Sequence, residues 1–264
     1  MTFGIAAGAD IWDAPSLDGR LEPLDLEALI LKVRRQETPA AAALYRLVKR
    51  LRRFEMPTFR PLHLALYYER RTRRNAWSNL KRVLYYQPIF RVRCEEVGPG
   101  LHLEGGIPLI LGHLRLRIGS GVRISGTTTF TGATRSPDPV LQIGDGSYVG
   151  YQVMISVGTR VSIGRHVLIA NRVFLAADDG HPIDPIARRS EPGSGTGSIE
   201  IEDDVWIGES AIVTKDVRIG RAAIVATGSV VTRDVAPFTV VGGNPARVLK
   251  QIDAEGRAEL PDER

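Results

Sequence analysis

Beyond Arg93, aliphatic residues recur every six positions. Val97, Leu103 and Leu109 are six apart, as are Ile118, Ile124 and Phe130, then Ile143, Val149 and Ile155, then Ile163, Ile169 and Leu175. After an interruption the series resumes with Ile201, Ile207, Val213, Ile219, Val225 and Val231. A second aliphatic track runs two residues ahead, as in Leu116, Leu141, Val161, Val167, Val173 and Val217, and a small residue often follows the main aliphatic, as at Gly119, Gly144, Gly164, Ala170 and Gly208. A helix would repeat at 3.6 and a half-buried strand at two. A period of six fits a β-helix of hexapeptide repeats, in which each aliphatic points inward and stacks on the next coil. The rhythm departs at Phe130–Leu141 and between Ile155 and Ile163, which are eight apart, so bulges or loops are expected there. The largest break is the polar, Gly/Pro-rich stretch 176–198, which contains His181. Loops of this length inside a compact domain are usually functional or disordered.

The first third of the chain has a helical pattern. Residues 1–23 show turn signals but no sustained period. From Leu24, Leu26, Leu29, Ile30 and Val33 share one face, and the pattern breaks at Thr38-Pro39. Ala40–Glu55 reads as an amphipathic helix with Leu44, Leu47, Val48 and Leu51 on one stripe. Leu62–Asn75 and Ala76–Tyr86 read as two further helical pieces, which Pro88 is expected to end. The expected organisation is an arm and basic α-helical segment over 1–92, a β-helix over 93–252 and a short tail over 253–264.

Charge sharpens this division. Residues 32–93 carry 17 Lys/Arg against Glu37, Glu55 and Glu69, a net +14, whereas the whole chain of 264 residues carries only +5. The basic helices read as a solvated face of a packed subdomain, or as a surface for an anionic or lipid-linked substrate with peripheral membrane contact. No nucleic-acid motif accompanies the charge, so nucleic acid is not assigned as a partner. The single cysteine, Cys94, excludes an intrachain disulfide and a cysteine-based metal cluster. With no signal-peptide pattern and no run of 18 apolar residues, the expected location is cytoplasmic.

Four motifs in order resemble the left-handed β-helix acyltransferases: Gly180-His181-Pro182, Val205-Trp206-Ile207-Gly208, Gly228-Ser229-Val230-Val231-Thr232 and Gly242-Gly243-Asn244-Pro245-Ala246-Arg247. The nearest group is the galactoside and maltose O-acetyltransferases and bacterial polysaccharide acetyltransferases, and the resemblance spans about Val97–Lys250. It implies a mainly β chain, a left-handed parallel β-helix preceded by the basic helices. It also implies a homotrimer with active sites at the subunit interfaces, acetyl-CoA as co-substrate, no metal, and a small-molecule or glycan acceptor.

Acetyl transfer from a thioester to a hydroxyl needs a base for the proton, and histidine, with an ordinary pKa near 6.5, suits that task. His181 matches the family's catalytic histidine; His63, His102, His113 and His166 read as structural. The resemblance places Glu209, through its backbone N–H, together with Thr227, Thr232, Arg233, Arg247 and Lys250 at the coenzyme. Glu209 and Thr227 depart from the residues usual there. Trp206 is a candidate to wall the acceptor site, Asp178 and Asp179 to bind sugar hydroxyls or orient His181, and Glu191 is the first choice for the orienting contact. The family's asparagine in the preceding coil is replaced by Val149-Gly150-Tyr151-Gln152, which argues against assuming a galactoside.

Other readings stay open: N-acetylation of an amino sugar or a serine-type acceptor, and a nonenzymatic β-helix scaffold. A γ-class carbonic anhydrase would need a closely spaced zinc-histidine pair that is absent. The acidic-histidine motif of serine acetyltransferase is also absent, and too few residues follow Lys250 for the C-terminal helices of acyl-carrier-dependent lipid acyltransferases.

Overall fold

The computed structural model describes residues 26–190 and 195–252. The expected arm at 1–23 and tail at 253–264 fall outside them. The described residues fall into two compact units, one ending at Leu66 and the other beginning at Tyr67.

The first unit contains helix α1 (Leu26–Arg35), helix α2 (Pro39–Arg52) and the start of helix α3 (Arg60–Lys81). Thr38 caps α2, its hydroxyl accepting from Ala41 N at 3.1 Å, and Pro39 occupies the first turn, where a missing N–H costs nothing. The two pieces expected between Leu62 and Tyr86 are instead one continuous helix, α3, which passes into a π-helical turn (Arg82–Tyr86) and then α4 (Gln87–Arg93). Pro88 does not end the run. The π turn resets the hydrogen-bond register, with Gln87 N donating to Arg82 O, so Pro88 falls in the first turn of α4.

The second unit is built on a left-handed parallel β-helix of about six turns. Its first face stacks strands from Glu96–Val97 to Val217–Ile219, its second from His102–Glu104 to Thr239–Gly242, and its third from Leu109–Leu111 to Val230–Val231. Pairing is parallel and in register: Ile143 lies on Ile163, Ile163 on Ile201 and Ile201 on Ile219. Both aliphatic tracks point inward; Leu116, Leu141, Val161, Ile169, Leu175 and Val213 are all fully buried. Sharp corners need left-handed backbone. Gly121 and Gly146 supply it at one corner and His166 (φ 55°) takes the same place one coil later, which gives His166 a structural position.

One inward assignment shifts. Leu109 is exposed, and Ile110 instead pairs with Phe130. The corner at Gly105-Gly106 contains one residue more than the hexapeptide rule allows, so the spacing from Leu103 to the next inward residue is seven.

The two ends of the coil stack are closed differently. At the N-terminal end, α4 delivers Phe90, which is fully buried in the coil core, and Gln87 Nε2 donates to Leu101 O. Glu95, just after α4, is gripped by Arg115 and Arg117, whose guanidinium hydrogen bonds hold its carboxyl down to about 2. At the C-terminal end, Arg247–Gln251 turns back antiparallel on Thr239–Gly242. An uncapped solenoid end would expose its core, so Phe90 acts as a plug. Phe90→Ala is expected to cost about 3–5 kcal/mol. Urea unfolding of the full chain measures this; a loss below about 1 kcal/mol would contradict the plug.

Candidate functional site

All the long departures from the six-residue rhythm lie on one edge of the prism, between the third and first faces. Going up this edge, the chain passes Gly132–Val140, the corner Gly158-Thr159, the stretch 177–197, then Lys215-Asp216 and Thr232–Asp234. The expected loop at Phe130–Leu141 is therefore present. The extra residues between Ile155 and Ile163 form only a wide corner, with Val157 fully buried.

The His181 loop is rooted by backbone bonds. Ala177 N donates to Ser156 O at 2.9 Å, Gly197 N to Ala177 O at 2.8 Å, and Thr159 N to Gly197 O at 2.8 Å. Asp178 forms an antiparallel bridge with Thr196. Gly158 must be glycine, because a Cβ there would stand 2.1 Å from Ala177 O. The root preserves the core register: Leu175 still stacks on Val213 across the insertion.

Above the root, the chain turns sharply to present His181. Asp178 Oδ1 accepts from Gly180 N at 3.1 Å, Gly180 takes φ 72°, and His181 N donates to Asp179 O at 2.8 Å. The His181 side chain is exposed and lines a cavity of about 140 Å³ with Ala133, Thr134, Arg135, Asp178, Gly180 and Thr196. Beyond it, Arg188 donates from Nε to Pro182 O at 3.0 Å and from Nη2 to Ile183 O at 2.6 Å, tying the helical turn Ala187–Ser190 back to the loop.

The expected carboxylates have distinct surroundings. Asp178 serves the turn. Asp179 is paired with Lys215 Nζ, whose pKa it raises, and Gly195 leaves room for that pair because a Cβ would stand 2.5 Å from Asp179 Oδ2. Glu191 lies outside the described residues. Of the other histidines, His63 in the first turn of α3 turns its Nδ1 to the backbone of Phe59, just before that helix. His102 is lowered in pKa, first by desolvation and then by Arg82. Burial pushes the Cys94 thiol up to about 12, so it is protonated at neutral pH.

The residues expected at the coenzyme do not all share the His181 edge. Thr232 and Arg233 do, both exposed. Thr227 and Glu209 lie on the opposite edge of the third face, between it and the second, where Glu209 O accepts from Gly228 N at 2.9 Å and the Glu209 side chain pairs with Arg172. Four residues separate Thr227 from Thr232: Gly228 (φ 70°) turns the corner and Val230–Val231 form the strand of the third face that carries the chain to the other edge. Exposed Arg247 and half-buried Lys250 sit on the final antiparallel strand. Trp206 projects from the second face, 51% exposed, in register with Leu168 below and Ile224 above. Arg233 and Arg247 have no carboxylate partner among the described residues, which suits them to an anionic phosphate.

Two contributors escaped the sequence reading. Arg135 sits in the irregular stretch that the spacing had flagged, but nothing in the sequence joined it to His181. Lys215 reaches the loop because Ala176 pairs with Thr214, a register across the insertion that the sequence does not show.

Comparison with known proteins agrees with this architecture. Residues 198–233 match the bacterial transferase hexapeptide family model of six repeats. Galactoside O-acetyltransferase of Escherichia coli is 34% identical over 113 residues, 43% of this chain and 55% of the relative. The 2,3,4,5-tetrahydropyridine-2,6-dicarboxylate N-acetyltransferase of Brevibacillus brevis is 46% identical over 74 residues, 28% of this chain and 31% of the relative. The chain thus spans about half or less of the length of these curated relatives. A solved structure of AntD, an N-acyltransferase from Bacillus cereus in complex with dTDP and 3-hydroxybutyryl-CoA, shares the fold at TM-score 0.53 and 20% identity, over 64% of this chain and 89% of that one.

The lysine contact yields a prediction. Because Asp179 raises the Lys215 pKa, the pair contributes fully below the unfolded lysine value of about 10.4 and is lost as pH rises through the folded value. At neutral pH, Lys215→Met should loosen the loop and speed tryptic cleavage at Arg188 and Arg189 a few-fold, in keeping with an exposed pair. Unchanged cleavage would show that Lys215 does not brace it. Root, turn and register together define the coil: a left-handed β-helix of hexapeptide repeats, similar over residues 198–233 to the bacterial transferase hexapeptide, with its long insertion presenting His181.

Proposed function

We propose that the protein is an acetyl-CoA-dependent acetyltransferase that transfers an acetyl group to a hydroxyl of a sugar or polysaccharide precursor, working as a homotrimer. The observation that carries this reading is His181 itself, an exposed imidazole lining a cavity on a loop rooted in a hexapeptide coil. His181 takes the proton of the acceptor hydroxyl as its oxygen attacks the thioester carbonyl. The carbon–sulfur bond then breaks, and the coenzyme A thiolate leaves and is protonated in turn. No acyl-enzyme is required.

Thr232 and Arg233 on the His181 edge, and Thr227 and Glu209 on the opposite edge, serve one reaction only if the edges of different copies meet. Trimer packing brings them together. It would also cover the apolar column of Leu168 and Trp206, half exposed in the isolated chain. Arg233, Arg247 and Lys250 would meet the phosphates of the coenzyme. Asp178 and Thr196, on the cavity wall, would meet acceptor hydroxyls. The galactoside O-acetyltransferase relative supports the hydroxyl reading, and the closer local identity to an N-acetyltransferase makes an amine acceptor the second reading.

His181→Ala should lower transfer from acetyl-CoA to a responsive sugar acceptor by about a hundred to ten thousand fold, with coenzyme binding retained. A screen of neutral, amino and nucleotide-linked sugars by thiol release provides the measurement. Undiminished turnover in a folded variant would refute the base; absence of coenzyme binding by calorimetry would favour the scaffold reading.

A further inference from the structure

The helices that precede the coil present a surface that neither the fold nor the transfer reaction uses. Between Tyr67 and Arg93 there are eight Lys/Arg and a single acid, Glu69. Glu69 pairs with Arg73 at 2.7 Å. Arg91 and Arg93 are committed to the coil, donating to Gly98 O and Leu114 O at 2.9 and 3.0 Å. A different set, Arg70, Arg71 and Arg74, lines an open concavity of about 520 Å³ with Tyr67 and Asn75, and no carboxylate shares its wall.

Large apolar groups stand exposed on the same run of helix. Trp77 is 59% exposed, Leu84 69%, and Leu80 and Tyr85 about half. Lys81 lies 5.9 Å from the Trp77 ring, its stem alongside an apolar body. In the other unit, α2 repeats the combination on its own, with Leu47 and Leu51 exposed beside Lys49, Arg50 and Arg52. Among the described residues, none of the helices is long and apolar enough to cross a membrane.

We propose that α3 and the π turn after it form a peripheral docking surface for an anionic lipid bilayer. Charge complementarity selects the partner's sign: three arginines without a carboxylate among them fit phosphate headgroups, which guanidinium binds bidentately. The exposed tryptophan, tyrosine and leucines select its kind. A soluble polyanion has nothing to receive Leu80 and Leu84, whereas the headgroup boundary takes aromatic rings and aliphatic tips together with the cations. This inference is independent of the acetyl-transfer reading, because it involves none of the residues given a role there.

Sedimentation of the full chain with vesicles of phosphatidylcholine alone, or with added phosphatidylglycerol, tests it. Partitioning is expected only to the anionic vesicles. At about fivefold per basic residue lost, with added repulsion from the new carboxylates, Arg70→Glu/Arg71→Glu/Arg74→Glu should lower it at least roughly a hundredfold. Trp77→Ala/Leu84→Ala should weaken it at unchanged charge, and both variants should keep wild-type circular dichroism. Equal binding to neutral vesicles, or none to either, overturns the proposal. So does tight binding of a single-stranded oligonucleotide without vesicle binding, or a change in oligomeric mass in the charge-reversed variant without vesicle binding, which would assign the face to a soluble polyanion or to a second copy.

Discussion

Register between successive coils is the constraint on which this structure depends. A single three-sided turn cannot bury its aliphatics; it becomes a core only when the next turn places Ile on Ile and Val on Leu. Because the side-chain period along a strand is two, a slip of one residue would turn an inward track outward. Extra residues must therefore leave and rejoin at a corner. The longest insertion does this through a neck in which Ala177, Gly197 and Thr159 hydrogen-bond to one another. Core stacking thereby fixes where a long polar loop is tolerated, and so where an exposed histidine can be held.

The three faces have different outward characters. The first carries charged residues such as Arg117, Glu200 and Arg218, which pair along and between coils. The second shows Leu168 and Trp206, and the third shows Leu109 and Met154. Apolar outward columns on two faces, meeting at the edge that holds Thr227 and Glu209, are what a self-associating prism would present. In such an arrangement, the loop edge of one copy would approach the opposite edge of another, and residues on different edges of one chain would serve a common site.

The sequence disclosed the coil because its repeat is written residue by residue in aliphatics of one size class. It misplaced Leu109 because the paired glycines before it leave a corner's length free, and only the observed pairing of Ile110 with Phe130 shows the extra residue. It ended the helical run at Pro88 because proline's missing N–H is costly in an α-helix, and a π turn that moves proline into a first turn has no plain sequence signal. The exposed position of His181 was legible from the polar loop that carries it. Asp179 was legible as a loop carboxylate but not as the partner of Lys215, since that contact crosses 36 positions. Thr227 and Thr232 are close in sequence, yet a strand carries them to different edges, a separation visible once the faces are assigned.

Formation of the site between copies can be measured through mixed oligomers. His181→Ala removes the loop-edge function and Thr227→Trp obstructs the opposite edge; each alone should be inactive. Unfolded together and refolded at equal ratio, random assembly into trimers leaves about a quarter of the interfaces with an intact loop edge facing an intact opposite edge. Recovery of about a quarter of wild-type turnover is the expected result. No recovery from confirmed mixed trimers would place the whole site within a single chain and contradict it.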